Sequence, residues 1–324
     1  MNAEMLRVRN LRVWYETLAG PVKAVDGVTF DLMPGEKFGL VGESGSGKTT
    51  LAHAMMLLIK PPCRIKEGRI LLGDQDLLNL SQEEMRRVRL SKIALIPQES
   101  MNSLNPVKRI KDQIIDGIVD HSKNLTRKER RNLIRELLEK VQLKPEVADM
   151  FPHELSGGMK QRVCIAIAIS LGPSIIIADE PTSALDVVVQ RQVMMTLGRM
   201  QESVGVSVLL VGHDMGLMAQ FVGRLGVMYS GKLVEVDTVK NMFKNPLHPY
   251  TKLLIECPPS LKEKREFKGI PGVPPHLLNP PPGCIFHGRC PKVMKRCLTE
   301  TPDLEEIQPE RWVACHLYSS EEKI

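Results

Sequence analysis

Two features that would assign this protein to a restricted class are missing from its sequence: a long apolar run and a strong excess of one charge. No stretch reaches the roughly 18 apolar residues that a membrane helix requires, and the first residues carry charges where a secretory signal is apolar. Basic side chains number 44 against 38 acidic ones, which leaves a net charge of +6. We therefore expect a cytoplasmic protein whose mild positive balance suits phosphates or an acidic membrane surface but does not indicate nucleic acid.

Internal repeats and low-complexity tracts are also missing, and the composition, 43% hydrophobic and 25% charged, is that of an ordinary globular protein. Its 324 residues suffice for a large core and for two units. Continuous runs of Val, Ile and Leu at 38–42, 174–179 and 206–212 predict parallel strands buried on both faces. These strands alternate with helical segments, which predicts an α/β layered fold.

Two segments depart from this alternation. A helical insert is expected at about residues 99–170, where Thr126 and Glu129 form a T-x-x-E capping box before a helix with one apolar face. After about residue 240 prolines become frequent, and because they remove backbone donors we expect an extended appendage there rather than regular sheet. The predicted domains are residues 1–240, which contain the insert, and a carboxy-terminal extension at 241–324.

The stretch GESGSGKT at residues 42–49 carries the strongest functional signal, because it follows an apolar strand, opens a helix and fits G-x-x-x-x-G-K-[ST]. Its glycines let the backbone wrap phosphate groups, with N–H groups pointing inward. Lys48 is expected to reach the β- and γ-phosphates of a nucleotide, and the Thr49 hydroxyl to ligate Mg²⁺. The residues predicted to hold the nucleotide here are Gly42, Glu43, Ser44, Gly45, Ser46, Gly47, Lys48, Thr49 and Thr50.

Polar residues follow three other apolar runs. Asp179 and Glu180 end IIIADE, where one carboxylate can hold a metal, directly or through water, while the other polarises an attacking water. Gln98 follows IALIP and His213 follows LLVG; by itself the first would be a surface amide and the second a structural histidine. Because ligands of open α/β sheets bind at the carboxyl edge of the strands, both are also candidates for sensing a γ-phosphate.

A second glycine-rich stretch, LSGGM at 155–159, opens another helix with Ser156, Gly157 and Gly158. Bare N–H groups at a helix start form an anion site, yet this motif lacks a lysine, a metal-binding hydroxyl and an acidic pair of its own. One interpretation is local: Ser156 caps the helix, and the glycines allow a close approach. The other interpretation is that the motif completes a site on another polypeptide.

Taken in order, GESGSGKTT, Gln98, LSGGM, IIIADE, SALD and His213 resemble the nucleotide-binding subunit of an ABC transporter over about residues 5–240. The resemblance implies that two subunits face each other head to tail. Each ATP would then be held between the phosphate loop of one subunit and the LSGGM motif of the other. It further implies that Tyr15 stacks on adenine, that Trp14 packs on the opposite strand face, and that Asp186 of SALD lies at the dimer interface.

The resemblance also implies individual roles in ATP hydrolysis. Lys48, Glu180 and His213 would be catalytic, with Glu180 as the general base and His213 as the switch on the γ-phosphate. The groups associated with Mg²⁺ would be Thr49, Gln98 and Asp179. The residues that touch the partner's nucleotide would be Ser156, Gly157 and Gly158. Met159 stands where most members have glutamine and cannot donate the same hydrogen bonds, so the expected contacts are those of the backbone.

Three stretches of the extension, NPLHPYT, IPGVPP and GCIFHGRCP, resemble the carboxy-terminal region of dipeptide and oligopeptide importers and of their nickel and oligosaccharide relatives. Four cysteines lie there with the spacing C-x₅-C-x₆-C-x₁₇-C: Cys284, Cys290, Cys297 and Cys315. In a reducing cytosol such a cluster more often binds a metal than forms disulfides. Their number suits zinc and iron–sulfur equally, and the resemblance implies a [4Fe–4S] cluster in some relatives. We expect such a cluster as a structural staple, with zinc, or inert or disulfide-linked cysteines, as alternatives.

These resemblances imply an ATP-hydrolysing subunit that powers the import of short peptides at the cytoplasmic face of the cell membrane. The implied partners are a second ATPase subunit, identical or homologous, and two integral-membrane permease subunits, whose coupling helix the insert would receive. An extracytoplasmic solute-binding protein would act indirectly. One alternative is the import of oligosaccharides or nickel, and another is export. A third is a soluble ABC ATPase that acts on nucleic acid or ribosomes; such proteins usually have two cassettes or a long coiled-coil insertion, and this sequence shows neither.

Overall fold

The structure is a computed structural model and describes residues 4–98, 103–121, 125–183, 185–257 and 269–319. Its strands are β1 (Leu6–Thr17), β2 (Gly20–Leu32), β3 (Lys37–Val41), β4 (Cys63–Leu72), β5 (Gln75–Asp76), β6 (Ile93–Ile96), β7 (Ile175–Asp179), β8 (Ser207–Gly212), β9 (Arg224–Tyr229), β10 (Lys232–Thr238), β11 (Glu305–Gln308) and β12 (Arg311–Val313). Its α-helices are α1 (Lys48–Met55), α2 (Gln82–Val88), α3 (Ile110–Val119), α4 (Arg127–Lys140), α5 (Gly157–Ala168), α6 (Val187–Val204), α7 (Met215–Ala219), α8 (Val239–Lys244) and α9 (Pro249–Glu256).

The described residues divide into two compact units, each assembled from separate stretches of the chain. The first unit lies within Met1–Leu6, Leu32–Lys37 and Leu72–Leu210, and the second within Arg7–Asp31, Phe38–Leu71 and Val211–Ile324. The helices of the predicted insert belong to the first unit, and the extension belongs to the second. The predicted domain boundary near residue 240 stays a prediction.

In the first unit, strands follow one another in the order β8, β7, β6. β6 and β7 run parallel, with Ile93 beside Ile175 and Ile96 beside Ala178. All five residues of β7 are buried, as predicted for a continuous apolar run covered on both faces. The parallel register brings the carboxyl ends of β6 and β7 to the same edge of the sheet.

The helices α3, α4 and α5 form the helical part of the first unit, as predicted. The Thr126 hydroxyl accepts the backbone N–H of Glu129 at 3.3 Å, and the Glu129 carboxylate accepts the N–H of Thr126 at 2.7 Å. This confirms the capping box at the start of α4. Ile134, Leu137 and Leu138 are buried on one side of the helix, so its apolar face packs into the unit while the charged face meets water.

The second unit contains the strand orders β11-β12-β10-β9-β3 and β2-β1-β4. β3 runs parallel to β9, with Phe38 beside Arg224 and Val41 beside Val227. A loop connects the end of β3 directly to α1. The buried run predicted at 38–42 therefore ends at the edge of the sheet, which is where the GESGSGKT motif begins.

The extension is more regular than its proline content predicted. β12 pairs antiparallel with β10, with Glu235 beside Val313, and β11 completes a hairpin. The expectation of an appendage without sheet is therefore wrong for this part of the extension. The physical reason is that prolines are frequent before residue 283, whereas the hairpin contains only Pro309, which lies in its turn and has no ladder bond to lose.

Helix length and polarity bear on membrane association. α6 has 18 residues and includes Arg191, Arg199 and Glu202. No helix in the described part of the chain combines the length and the apolar character needed to cross a lipid bilayer.

Candidate functional site

The GESGSGKT loop of the second unit has a backbone that only glycine can supply at its last position before α1. Gly47 is in the left-handed region with φ 99°, and a Cβ atom there would lie 2.0 Å from the carbonyl oxygen of Ala24. At the start of the loop, a Cβ atom on Gly42 would lie 2.2 Å from the carbonyl oxygen of Met228. The loop is therefore held close to neighbouring backbone, with room for main chain alone.

Lys48 is buried inside this loop, with 5% of its surface exposed. Its ammonium donates to the carbonyl oxygens of Gly42 and Glu43, both at 2.9 Å, and to the Ser46 hydroxyl at 3.2 Å. A positive charge is thus fixed at the centre of a loop that opens onto a helix N-terminus. This combination can bind a polyphosphate, because charge and backbone dipoles both favour an anion.

Tyr15 and Trp14 lie next to each other on β1 but on opposite faces, as predicted. The Tyr15 side chain is exposed, and its hydroxyl lies 3.2 Å from the Thr50 hydroxyl in α1. The ammonium groups of Lys23 and Lys66 lie over the Trp14 ring, 5.2 and 5.9 Å from its centroid. The structure therefore places Tyr15 beside the phosphate loop, whereas Trp14 packs against lysines. That Tyr15 stacks on adenine stays a prediction.

The carboxylates at the end of β7 have contrasting environments in the first unit. Asp179 is fully buried, whereas Glu180 is half-buried and lies just beyond the strand. The Gln98 side-chain amide, which follows β6, donates to the Glu180 carboxylate at 3.2 Å. Glu180 adopts a positive φ of 43°, a conformation that costs a non-glycine residue about 1–2 kcal/mol. Strained backbone of this kind is concentrated at functional sites.

The LSGGM motif, also in the first unit, shows both features of the local interpretation. Ser156 is exposed and caps α5, since its hydroxyl accepts the N–H of Met159 at 3.4 Å. Gly158 is buried, and a Cβ atom there would lie 2.5 Å from Cγ1 of Val189 in α6. These contacts account for Ser156 and Gly158 within the chain. The contact of the motif with a partner's nucleotide stays a prediction.

Asp186 and His213 are both exposed, and each lies directly beside a regular element: Asp186 precedes α6, and His213 follows β8. The Asp186 carboxylate caps α6 by accepting the N–H groups of Val188 and Val189 at 3.1 and 3.0 Å. Val187 and Val188 remain 79% and 67% exposed at this helix start. His213 directly follows β8 and is exposed. Their roles at an interface and on a γ-phosphate stay predictions.

The four cysteines of the extension do not form the predicted metal site. The described residues contain no group of three or more histidine, cysteine or acidic side chains that could hold a metal ion, and none of these four cysteines forms a disulfide. Burial is the main cause that raises the thiol pKa of Cys284 and Cys290, and it raises that of Cys315 to about 12. The [4Fe–4S] cluster and zinc are therefore not supported by the structure.

Sequence reasoning missed a residue that supports the phosphate loop from the extension. Tyr250, in α9, is fully buried, and its hydroxyl accepts the backbone N–H of Glu43 at 2.9 Å. Burial raises the pKa of Tyr250 well above its ordinary value. The signal was present in NPLHPYT, where an aromatic residue stands within a polar, proline-rich stretch.

Two protein-family models match the chain. The family described as ABC transporter matches residues 25–183. The family described as the C-terminal region of oligopeptide/dipeptide transporters matches residues 234–297. The second match includes most of β10 together with α8 and α9.

Curated relatives are similar over nearly the whole chain. The dipeptide transport ATP-binding protein DppD of Caldanaerobacter subterraneus subsp. tengcongensis is 41% identical over 97% of this chain and 97% of its own length. The oligopeptide transport ATP-binding protein AppF of Bacillus subtilis is 42% identical over 94% of this chain and 92% of its own. The oligopeptide transport ATP-binding protein OppD of Escherichia coli is 39% identical over 96% and 92%, respectively.

Solved structures of ABC cassettes share the fold. The dimeric structure of MJ0796, a bacterial ABC transporter cassette, has a TM-score of 0.65 at 27% identity and covers 72% of this chain and 98% of that chain. The same cassette in a post-hydrolysis state, bound to ADP and Pi, has a TM-score of 0.65 at 28% identity, with the same coverage. The fold is that of an ABC-type P-loop cassette with a helical part and an added extension, and the chain belongs to the family of ABC transporter ATP-binding subunits of the dipeptide/oligopeptide type.

Proposed function

We propose that this chain is the ATP-hydrolysing subunit that energises an importer of short peptides. The observation that carries the proposal is the similarity to proteins named for dipeptide and oligopeptide transport, which includes the extension as well as the cassette. The phosphate loop with its buried Lys48 supports the binding of a nucleotide polyphosphate. Integral-membrane permease subunits would be the direct partners, with the chain bound peripherally at the cytoplasmic face of the membrane and an extracytoplasmic solute-binding protein acting through them.

Glu180 is the residue to which we assign the proton transfer of hydrolysis. Its carboxylate would accept a proton from the water that attacks the γ-phosphate, while the hydrogen bond from Gln98 orients it. Lys48 would hold the β- and γ-phosphates by charge, and His213 would contact the γ-phosphate. A general base in this position contributes on the order of 10²–10⁴ to the rate.

The donor atoms assigned to Mg²⁺ are all oxygens, as this hard cation prefers. They are the Thr49 hydroxyl, the Gln98 amide oxygen and the carboxylate of Asp179, which is fully buried. Asp179 ends β7, and ligands of open α/β sheets bind at the carboxyl ends of the strands, which supports such a role. When bound with ATP, Mg²⁺ would neutralise charge that develops on the phosphate oxygens.

A second ATPase subunit would complete each nucleotide site. Ser156, Gly157 and Gly158 would offer backbone N–H groups at the start of α5 to the nucleotide of the partner. The exposure of Val187 and Val188 beside Asp186 supports an interface at the neighbouring helix start, because apolar side chains are favoured in the buried centre of an interface. Similarity to a cassette whose structure is dimeric also supports this arrangement.

The experiment that tests the proposal reconstitutes the chain with its permease subunits in proteoliposomes. We expect a dipeptide-loaded binding protein to stimulate ATP hydrolysis, and Glu180→Gln to bind ATP while hydrolysing it about 10²–10⁴ times more slowly. Glu202→Gln, an exposed change in α6, is the matched control and should hydrolyse ATP normally.

Two results would contradict the proposal: stimulation by nucleic acid in place of the binding protein, or near-normal hydrolysis by Glu180→Gln. Stimulation with nickel- or oligosaccharide-loaded binding protein, and with no peptide, would overturn the assigned solute and retain the ATPase.

A further inference from the structure

Arg289, in the extension, uses all five of its N–H donors within the second unit. Its two terminal nitrogens donate to the two carboxylate oxygens of Glu43, at 2.7 and 3.1 Å. They also reach the Tyr229 hydroxyl at 3.3 Å and the Ile270 carbonyl oxygen at 3.2 Å. Nε donates to the Pro271 carbonyl oxygen at 2.8 Å. A guanidinium has five donors, so this side chain, only 5% exposed, is fully satisfied.

Glu43 belongs to the phosphate loop, and its main chain is held as firmly as its side chain. Its N–H donates to the Tyr250 hydroxyl at 2.9 Å, and its carbonyl oxygen accepts from the Lys48 ammonium at 2.9 Å. The Tyr250 ring packs against those of Tyr229 and Phe286, with centroids 4.6 and 5.4 Å away. The first part of the loop is therefore anchored to a buried aromatic cluster that the extension helps to form.

An acid in this position raises an electrostatic problem. A carboxylate in a loop that receives phosphates repels them, and the repulsion is strong where water is partly excluded. The positive charge of Arg289 compensates the carboxylate charge of Glu43, because a bidentate guanidinium–carboxylate pair is strong and geometrically specific. Removing only the arginine would leave the carboxylate charge uncompensated in a largely buried place.

The backbone of the extension also lies along this loop. The N–H of Lys23, in β2, donates to the Leu277 carbonyl oxygen at 3.2 Å. A cavity of about 350 Å³ is lined by Glu43 to Ser46 on one side and by Pro274 to Leu277 on the other. The extension therefore lines one side of the cavity beside the phosphate loop. Arg289 connects the extension to that loop through its ion pair with Glu43.

We propose that Arg289 is a positioning residue for ATP: through its pair with Glu43 it holds the phosphate loop in shape and cancels the carboxylate charge, so that ATP affinity depends on the extension. This inference rests on the proposed binding of ATP by the phosphate loop. If Arg289 only stabilised the unit against unfolding, ATP affinity would not change with the charge of Glu43.

The test measures equilibrium binding of a fluorescent ATP analogue, together with thermal unfolding, on the full chain. We expect Arg289→Gln to weaken binding about tenfold, the size of one charge interaction at a partly solvated site. Arg289→Lys, which keeps the charge but not the fork, should weaken it less. The double variant Glu43→Gln/Arg289→Gln should recover most of the affinity, because the repelling charge is gone. In steady-state hydrolysis the loss should fall on KM rather than on kcat.

Arg296→Gln is the matched control, because it breaks another ion pair of the extension, with Glu300 at 2.5 Å, and should leave binding within about twofold. Folded Arg289→Gln that binds like the wild type would overturn the inference, as would a double variant no better than the single one. If Arg289→Gln does not fold, Arg289→Lys and the double variant carry the same test. Wild-type protein that fails to bind ATP, or binding unaffected by Lys48→Ala, would instead refute the proposed function.

Discussion

Two helices of this chain begin at glycine-rich motifs, and they begin in different ways. α1 follows Gly47, which is left-handed at φ 99° and provides no side-chain cap. α5 follows Ser156, which is extended at φ −65° and ψ 162° and caps the helix through its hydroxyl. The first helix start therefore requires glycine and suits a bound anion as its cap, whereas the second is already capped by its own side chain.

The difference indicates what each helix start can do. In the second unit the loop before α1 encloses Lys48, so charge, backbone donors and shape come from one continuous segment. In the first unit the start of α5 has an exposed Ser156 and a buried Gly158, and the nearby Arg162 guanidinium donates to the Gly158 carbonyl oxygen at 3.2 Å. We expect the loop before α1 to bind nucleotide by itself, and the start of α5 to act on a nucleotide that another chain already holds.

Gly47→Ala changes the glycine on which the start of α1 depends, and it should have the largest effect of the variants proposed here. Its Cβ would lie 2.0 Å from the Ala24 carbonyl oxygen, and a left-handed alanine costs about 1–2 kcal/mol in addition. We expect ATP binding to be lost in an equilibrium titration. Gly205→Ala is the control, since Gly205 is left-handed at φ 72° but has open space around it. If both variants lost ATP binding equally, the strain of a left-handed alanine would explain the loss, and the position of Gly47 in the phosphate loop would not.

Gly157→Trp tests the role proposed for the start of α5. A bulky side chain at the start of α5 should keep the motif away from a partner's nucleotide while leaving the phosphate loop intact. We expect ATP affinity to be retained and hydrolysis to fall about 10²-fold, the size of effect that misplaced groups produce. Glu202→Trp, exposed in the same unit, should hydrolyse ATP normally. Unchanged turnover in Gly157→Trp would refute a shared site.

Ser156→Ala has the smallest expected effect, because it removes only a cap. Loss of a serine cap costs about 1 kcal/mol of the free energy of unfolding, measurable by urea denaturation. Thr126→Ala removes a matched cap at α4 and should cost a similar amount. If Ser156→Ala slows hydrolysis and Thr126→Ala does not, the hydroxyl has a role beyond capping. Equal effects in both assays would confine Ser156 to helix stability.

Much of the candidate site was predictable because its parts are local or follow from parallel strands. The capping box of Thr126 and Glu129 required only four consecutive residues. Gln98 and Glu180 were expected at one sheet edge because each follows an apolar strand, and their hydrogen bond at 3.2 Å brings them together. What no spacing revealed is the positive φ of Glu180, since the strain depends on the surrounding packing.

The extension was predicted less well, because composition describes a segment without saying what it packs against. Its prolines pointed to irregular structure, yet the hairpin of β11 and β12 pairs with β10. Its four cysteines suggested a metal, yet the thiols do not assemble a metal-binding group among the described residues. Spacing along the chain limits which residues can meet, but only tertiary packing decides whether they do.

By itself, the sequence determined the α/β alternation, the glycine-dependent loop before α1 and the strand ends that carry acidic and amide side chains. These features depend on residues within a few positions of one another, where backbone preference and side-chain period act directly. Tertiary structure alone decided that Arg289 would meet Glu43 and that Tyr250 would hold the loop's main chain. These partners are more than 200 residues apart, and no local preference selects one distant segment over another.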